Sequence, residues 1–287
     1  MDTTPAVLIT GASSGIGAVY AERFAHRGHD LVLVARDSTR MDALAVRLHQ
    51  DYGVTVDVLP ADLTQPDELA VVETRLREDS HIGILVNNAD MSIAGNFLEQ
   101  ATNDIGRLVA LNTVALVRLA SAVAPRLAAA GEGAIINIGS VVGLAPEFGA
   151  TVYGATKAFV MFLSQGLSLE LAPCGVYVQA VLPAATRTES GERSGTDINT
   201  LPPVMEAEEL VDAALVGFDR REPVTIPPLH EFGQWEAYQH ARQAMLPGFA
   251  QANTDARYRL MHSPILNCVR SAPVLFTQAT DSLMVNQ

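Results

Sequence analysis

The sequence is short of positive charge. Nineteen Lys and Arg face thirty-two Asp and Glu, a net charge of −13. Neither a nucleic acid nor an anionic membrane surface is therefore expected as a partner, because both need basic patches. Lysine is scarcer still: Lys157 is the only one, and the remaining basic residues are all arginine. Cysteine is almost missing. Cys174 and Cys268 stand far apart, form neither a disulfide framework nor a metal site, and fit a reducing compartment, so a cytoplasmic location is expected. No uninterrupted apolar run reaches the roughly 18–20 residues of a spanning helix; Arg118 and Arg126 break the longest candidate, Val114 to Ala130. No basic segment precedes the apolar run Ala6-Val7-Leu8-Ile9, so no signal peptide is expected. Repeats and low-complexity linkers are absent, which leaves a single domain, placed at 1–262.

What is present is 48% hydrophobic and 18% charged residues, enough to bury a large core. Short apolar runs alternate with amphipathic stretches. Strands are expected at Ala6–Thr10, Asp30–Ala35, Val54–Leu59, Ile82–Asn87, Ala134–Ile138, Val176–Leu182 and Pro223–Ile226. Helices are expected between them, at Ile16–Arg27, Met41–Asp51, Pro66–Glu78, Asp104–Ala130, Val152–Leu171 and Glu206–Gly217. Continuous apolar strands separated by helices predict an α/β, doubly wound parallel sheet of about seven strands, covered by helices on both faces.

The lone lysine sits four residues after Tyr153, in Tyr-Gly-Ala-Thr-Lys. On a helix this spacing places phenol and ammonium on one face, a turn apart. A neighbouring positive charge favours phenolate and lowers the phenol's pKa from roughly 10, so such a group can trade protons near neutrality. A second pattern opens the chain. Gly11, Gly15 and Gly17 lie between the first strand and first helix, with Ser13, Ser14 and Ile16 among them. Glycines there permit a tight turn and close approach of a pyrophosphate to the backbone, and the helix N-terminus offers amides to an anion.

Together, G-x-x-x-G-x-G and Y-x-x-x-K resemble the short-chain dehydrogenase/reductase family, with a Rossmann-like fold, over residues 6 to about 228. The resemblance implies an NADP(H)-dependent oxidoreductase, a carbonyl or keto reductase moving hydride between nicotinamide and a small-molecule carbonyl/alcohol pair. It assigns Tyr153 as general acid/base and Ser140 as the residue that holds the substrate oxygen. Lys157 lowers the phenol's pKa and anchors the nicotinamide ribose, and Asn112 supports the proton relay. It places Asp62, Leu63, Asn88, Ala89, Pro183 and Thr188 along the coenzyme. Arg36 follows a neutral Ala35 where NAD-selecting enzymes carry an acid. NADP is expected over NAD on that ground, with Ser13 and Arg40 assisting and Asp37 arguing the other way.

Two positions depart from the family pattern. Asp90 replaces the glycine of N-N-A-G, and Ala184 replaces the glycine after Pro183. A carboxylate at 90 must point away, bond a ribose hydroxyl or repel phosphate. These departures support an alternative: a catalytically impaired NADP-binding sensor or interaction protein of the same fold. Among enzymes, an acyl-carrier ketoreductase competes with a general carbonyl reductase, and the net negative charge disfavours an acidic carrier. Residues 189–205 read as a substrate lid, and the apolar positions of the Tyr153 helix as a homodimer or homotetramer interface. Phe232, Trp235, Tyr238, Met245 and Phe249 read as a core or interface face, and 263–287 is a tail with no assigned structure.

Overall fold

The computed structural model describes residues 4–187 and 204–259. The chain divides into two units, Met1–His230 and Glu231–Gln287.

The first unit is built on a parallel sheet. Its strands are β1 (Ala6–Thr10), β2 (Leu31–Ala35), β3 (Val56–Pro60), β4 (Ile82–Asn87), β5 (Ala134–Ile138), β6 (Tyr177–Val181) and, after a short separate pair described below, β9 (Val224–Thr225). They run in the order β3-β2-β1-β4-β5-β6-β9, all pairs parallel. Every residue of β1, β2 and β5 is buried, as unbroken apolar runs require of strands covered on both faces. One face packs on α1 (Gly15–His26), α2 (Ser38–Tyr52) and α7 (Ala207–Asp219), through Tyr20, Phe24, Leu48 and Val211. The other packs on α3 (Pro66–Glu78) and α5 (Leu116–Ala130), through Leu76, Leu119, Val123 and Leu127. The chain changes direction across the sheet between β1 and β4, which opens a crevice at the carboxyl ends of those strands.

The long helix expected at 104–130 is interrupted. After α4 (Thr102–Val109) come six residues of π-helix, Ala110–Ala115, before α5 begins. Such wide turns occur frequently at functional sites, and this one carries Asn112. The whole stretch Thr102–Ala130 is long and apolar enough in composition to cross a membrane. Two of its arginines are nonetheless tied to the fold: Arg118 pairs with Glu73, and Arg126 donates to the carbonyls of Leu76, Ser80 and Ile82.

Below the crevice a polar chain links three elements. Asn87 on β4 donates to Asn137 Oδ1 on β5 (3.0 Å), and Asn137 donates to Ser164 Oγ (2.9 Å) on α6 (Thr151–Leu171). Inside a core each such bond must be made, because an unmade one leaves a desolvated amide. The chain therefore fixes α6 against β5.

The expected lid, 189–205, lies almost wholly outside the described residues. Met205 belongs instead to β8 (Met205–Glu206), which pairs in parallel with β7 (Thr186–Arg187). The tail 263–287 is outside the described residues as well. In the second unit, α8 (Phe232–Ala244) buries Trp235, stacked on Tyr238 at 5.4 Å. Phe232, Tyr238, Met245 and Phe249 are exposed, so only Trp235 of that expected apolar face is core.

Candidate active site

Four side chains expected to act together converge at the carboxyl ends of β4 and β5. Ser140 stands two residues past the end of β5, after Gly139. Its Oγ donates to Pro183 O (3.1 Å) and accepts from Val142 N (3.3 Å). The turn after it lies against α6 so closely that a Cβ on Gly143 would stand 2.6 Å from Lys157 C and Ala158 N. This contact sets the first turns of α6, which carry Tyr153 and, one turn on, Lys157. The Ser140 hydroxyl stands near enough to the Tyr153 phenol to pull its pKa down. Lys157 is buried, and its Nζ donates to Ile138 O at 3.0 Å and lies 5.4 Å from the centre of the Tyr153 ring.

Asn112 arrives from the π-turn. Its Oδ1 accepts from Met91 N (3.0 Å), and its Nδ2 donates to Met91 O (2.9 Å) and Thr156 Oγ1 (3.2 Å). A buried Asn in a helix interior is thereby accounted for: it joins the loop after β4 to α6. Its carboxamide holds backbone in place.

Asp90 is where the structure adds most. The carboxylate points into the site. A single oxygen, Oδ2, lies 2.8 Å from Lys157 Nζ and accepts a hydrogen bond from the Tyr153 hydroxyl at 3.1 Å. Burial pushes the phenol well above its ordinary value, the negative charge of Asp90 and its hydrogen bond push it further, and the Ser140 hydroxyl pulls only weakly the other way. Lys157, expected to lower the phenol's pKa, is paired here with a carboxylate that also accepts a hydrogen bond from the phenol, an arrangement that favours the protonated phenol.

A cleft of about 570 Å³ runs from this point along the switch between β1 and β4. Gly11, Ser13, Ser14, Gly15 and Ile16 line its floor, Arg36, Asp62 and Leu63 one end, and Asn88, Ala89 and Asp90 the other. Gly11 has φ +66°, and a Cβ there would meet Asn88 Nδ2 at 2.8 Å and Ala89 Cα at 2.9 Å. Gly17 does not line the cleft. It packs under the loop, and a Cβ on it would stand 2.4 Å from Gly11 O. Asn88 braces the same loop through Thr10 O (2.9 Å) and Gly11 O (3.3 Å). The glycine-lined floor, the amino end of α1 and the arginine at the far end suit an elongated polyanion. Pro183 sits behind Ser140 through its carbonyl, and Thr188 lies outside the described residues.

Asp37 lines the cleft beside Arg36. It is the N-cap of α2, accepting from Arg40 N (3.1 Å) and pairing with the Arg40 guanidinium at 3.4 Å. Asp62 closes a turn by accepting from Thr64 N (2.9 Å) and Thr64 Oγ1 (2.7 Å). Burial alone would raise its pKa, but those two bonds and the charges of Arg36 and Arg107 hold it below the usual range. Arg107 was not foreseen. It lines the cleft from α4, one turn before Leu111, which also lines it. A charge one helical turn before an apolar contact was the available signal, but it is indistinguishable in sequence from an ordinary solvated arginine.

Residues 5–199 match the short chain dehydrogenase family model. A very-long-chain 3-oxoacyl-CoA reductase of Danio rerio is 34% identical over 186 residues, covering 63% of this chain and 58% of that protein. The chain thus spans less than two thirds of that relative. A reductase of the same name from Podospora anserina is 34% identical over 238 residues, 79% of this chain and 69% of its own length. Among solved structures, a short-chain dehydrogenase from Sphingobium yanoikuyae in complex with NADPH is 67% identical, with TM-score 0.88 over 89% of this chain and 100% of that one. The bulky-bulky ketone specific alcohol dehydrogenase from Comamonas testosteroni is 62% identical, with TM-score 0.84 over 89% and 99%. The glycine loop, the switch-point cleft and the Ser140, Tyr153 and Lys157 cluster, joined to its wall through Asp90, accord with these matches: the chain belongs to the short chain dehydrogenase family.

Proposed function

We propose that this protein is an NADPH-dependent ketone reductase that also oxidises the corresponding alcohols, acting on carbonyls with a bulky group on each side. The observation that carries the reading is the grouping of the Tyr153 phenol with Ser140 and Lys157 against Asp90, a residue of the cleft wall. The bulky-ketone class is supported by 62% identity to the Comamonas testosteroni enzyme along nearly all of that chain, against 34% to the 3-oxoacyl-CoA reductase of Danio rerio over 58% of its length.

Hydride chemistry in such a site belongs to the nicotinamide. The protein's own groups do the rest. Ser140 holds the carbonyl oxygen. Tyr153, kept protonated by its surroundings, delivers a proton to that oxygen as negative charge develops on it. Lys157, anchored on Ile138 O, is the group positioned to bind ribose hydroxyls. Asn112 keeps α6 and the loop after β4 in register. NADP in preference to NAD is supported by Arg36 at the end of β2 and by the cap bond and Arg40 pairing that engage the neighbouring Asp37. The NADPH complex of the Sphingobium yanoikuyae relative points the same way.

A second reading has one observation in its favour. Asp90 engages both Tyr153 and Lys157, as in a protein that binds coenzyme but turns over poorly. Following NADPH absorbance with diaryl and aryl-alkyl ketones, small ketones and a 3-oxoacyl thioester separates the possibilities. Turnover concentrated on the first group supports the proposal. Turnover on the thioester alone, or none with bound NADPH, contradicts it.

We also propose a homo-oligomer. On α6, Phe159, Phe162 and Leu169 are exposed, the last two at 77% and 80%. With Gly166 they recur at helical spacing on one face, as an apolar stripe suited to a second helix.

A further inference from the structure

Asp90 is held in place from both sides. On one side, Thr10 Oγ1 accepts from the backbone N–H groups of Asn88 (2.9 Å) and Ala89 (3.0 Å). On the other, Asn112 grips Met91 through both its N–H and its carbonyl. Four backbone anchors within four residues fix the backbone from which the carboxylate projects. It is directed at the one lysine in the chain. Lys157 is 2% exposed on its side chain, so its positive charge is largely without solvent and depends on oxygen partners. Among the described residues it has two: a neutral carbonyl, Ile138 O, and the Asp90 carboxylate at 2.8 Å. The second is a charge-assisted contact, the stronger kind. The same oxygen takes the Tyr153 hydrogen bond.

We propose that Asp90 is an internal latch, a carboxylate that occupies Lys157 and Tyr153 in place of the coenzyme's ribose hydroxyls and must be displaced before NADPH is fully seated. The inference rests on the coenzyme reading above. A hydroxyl is a weaker partner for an ammonium than a carboxylate, so exchanging one for the other costs binding energy. Asp90 also lines the cleft that is to receive a polyanion, and its charge opposes that entry. Its side chain retains 34% exposure, so it has an open side into which to swing. The latch therefore tunes coenzyme affinity downward and keeps the proton donor engaged until coenzyme arrives.

The test uses the full chain and two substitutions, Asp90→Asn, which keeps shape and removes charge, and Asp90→Gly, which removes the side chain. NADPH dissociation constants are read by nicotinamide fluorescence. The phenol is titrated without coenzyme by absorbance at about 295 nm, against a Tyr153→Phe background to isolate one tyrosine. Both substitutions are expected to tighten NADPH binding by about tenfold or more and to move the Tyr153 titration to lower pH. Unchanged binding would overturn the latch while leaving the coenzyme reading intact. Weaker binding would overturn it too, and make Asp90 a direct ribose ligand. If none of the proteins binds NADPH, the coenzyme reading falls and the latch with it; a phenol titration that moves even so would show that the contact exists but serves another end.

Discussion

Arg36 and Asp37 are adjacent and opposite in charge, yet the structure gives them different work. Asp37 is spent on the first turn of α2, where an acid satisfies an orphan N–H and suits the helix dipole. Arg36 lines the end of the cleft and helps to hold Asp62 ionised. If it binds the phosphate that distinguishes the two coenzymes, Arg36→Ala removes a charge-assisted contact. NADPH affinity should then fall by roughly 10- to 100-fold, with little change for NADH. Binding titrations with both coenzymes check this; equal losses for the two would assign Arg36 to a part of the ligand they share. At the same scale, Lys157 shows why a charge pair read from spacing is incomplete. Its distance from Tyr153 follows from the helix, but its effect on the phenol depends on a third residue that the helix does not contain.

Among elements, strands and glycines were the most legible. β1, β4 and β5 fall where their largely apolar runs predict, and the asparagines that β4 and β5 bury, Asn87 and Asn137, are hydrogen-bonded to each other. The α1 loop was legible because its glycines answer a geometric need. Gly17 illustrates it. A methyl group there meets Gly11 O, whereas Gly106 in α4 has nothing within 4 Å of its would-be Cβ. Gly17→Ala should destabilise the protein by about 1–3 kcal/mol through overpacking and weaken NADPH binding. Gly106→Ala should stabilise it by about 0.5–1 kcal/mol. Urea unfolding of the two variants compares them directly; equal behaviour would mean the loop yields without cost. The π-turn at Asn112, the inward turn of Asp90 and the place of Arg107 were not legible. Each depends on a contact between elements remote in sequence, such as Asn112 to Thr156 or Asp90 to Lys157. No local periodicity encodes such a pairing.

On the scale of the whole molecule, the first unit brings its catalytic candidates together at one edge of a seven-stranded sheet, while the exposed apolar residues of α6 lie on the outer face of the helix that carries two of them. If α6 packs on a second copy, light scattering should give a multiple of the 30.6 kDa chain mass, and Phe162→Asp should lower it. A monomer at micromolar concentration would contradict that packing. Such an interface would also steady Tyr153 and Lys157 from behind, linking assembly to activity. The central claim concerns the proton rather than the assembly. Turnover with NADPH and a bulky ketone, measured beside NADPH affinity for Tyr153→Phe, tests it most directly. The account predicts that turnover falls by at least roughly 100-fold while the coenzyme still binds. Turnover within a few-fold of the unsubstituted protein would show that the proton comes from elsewhere.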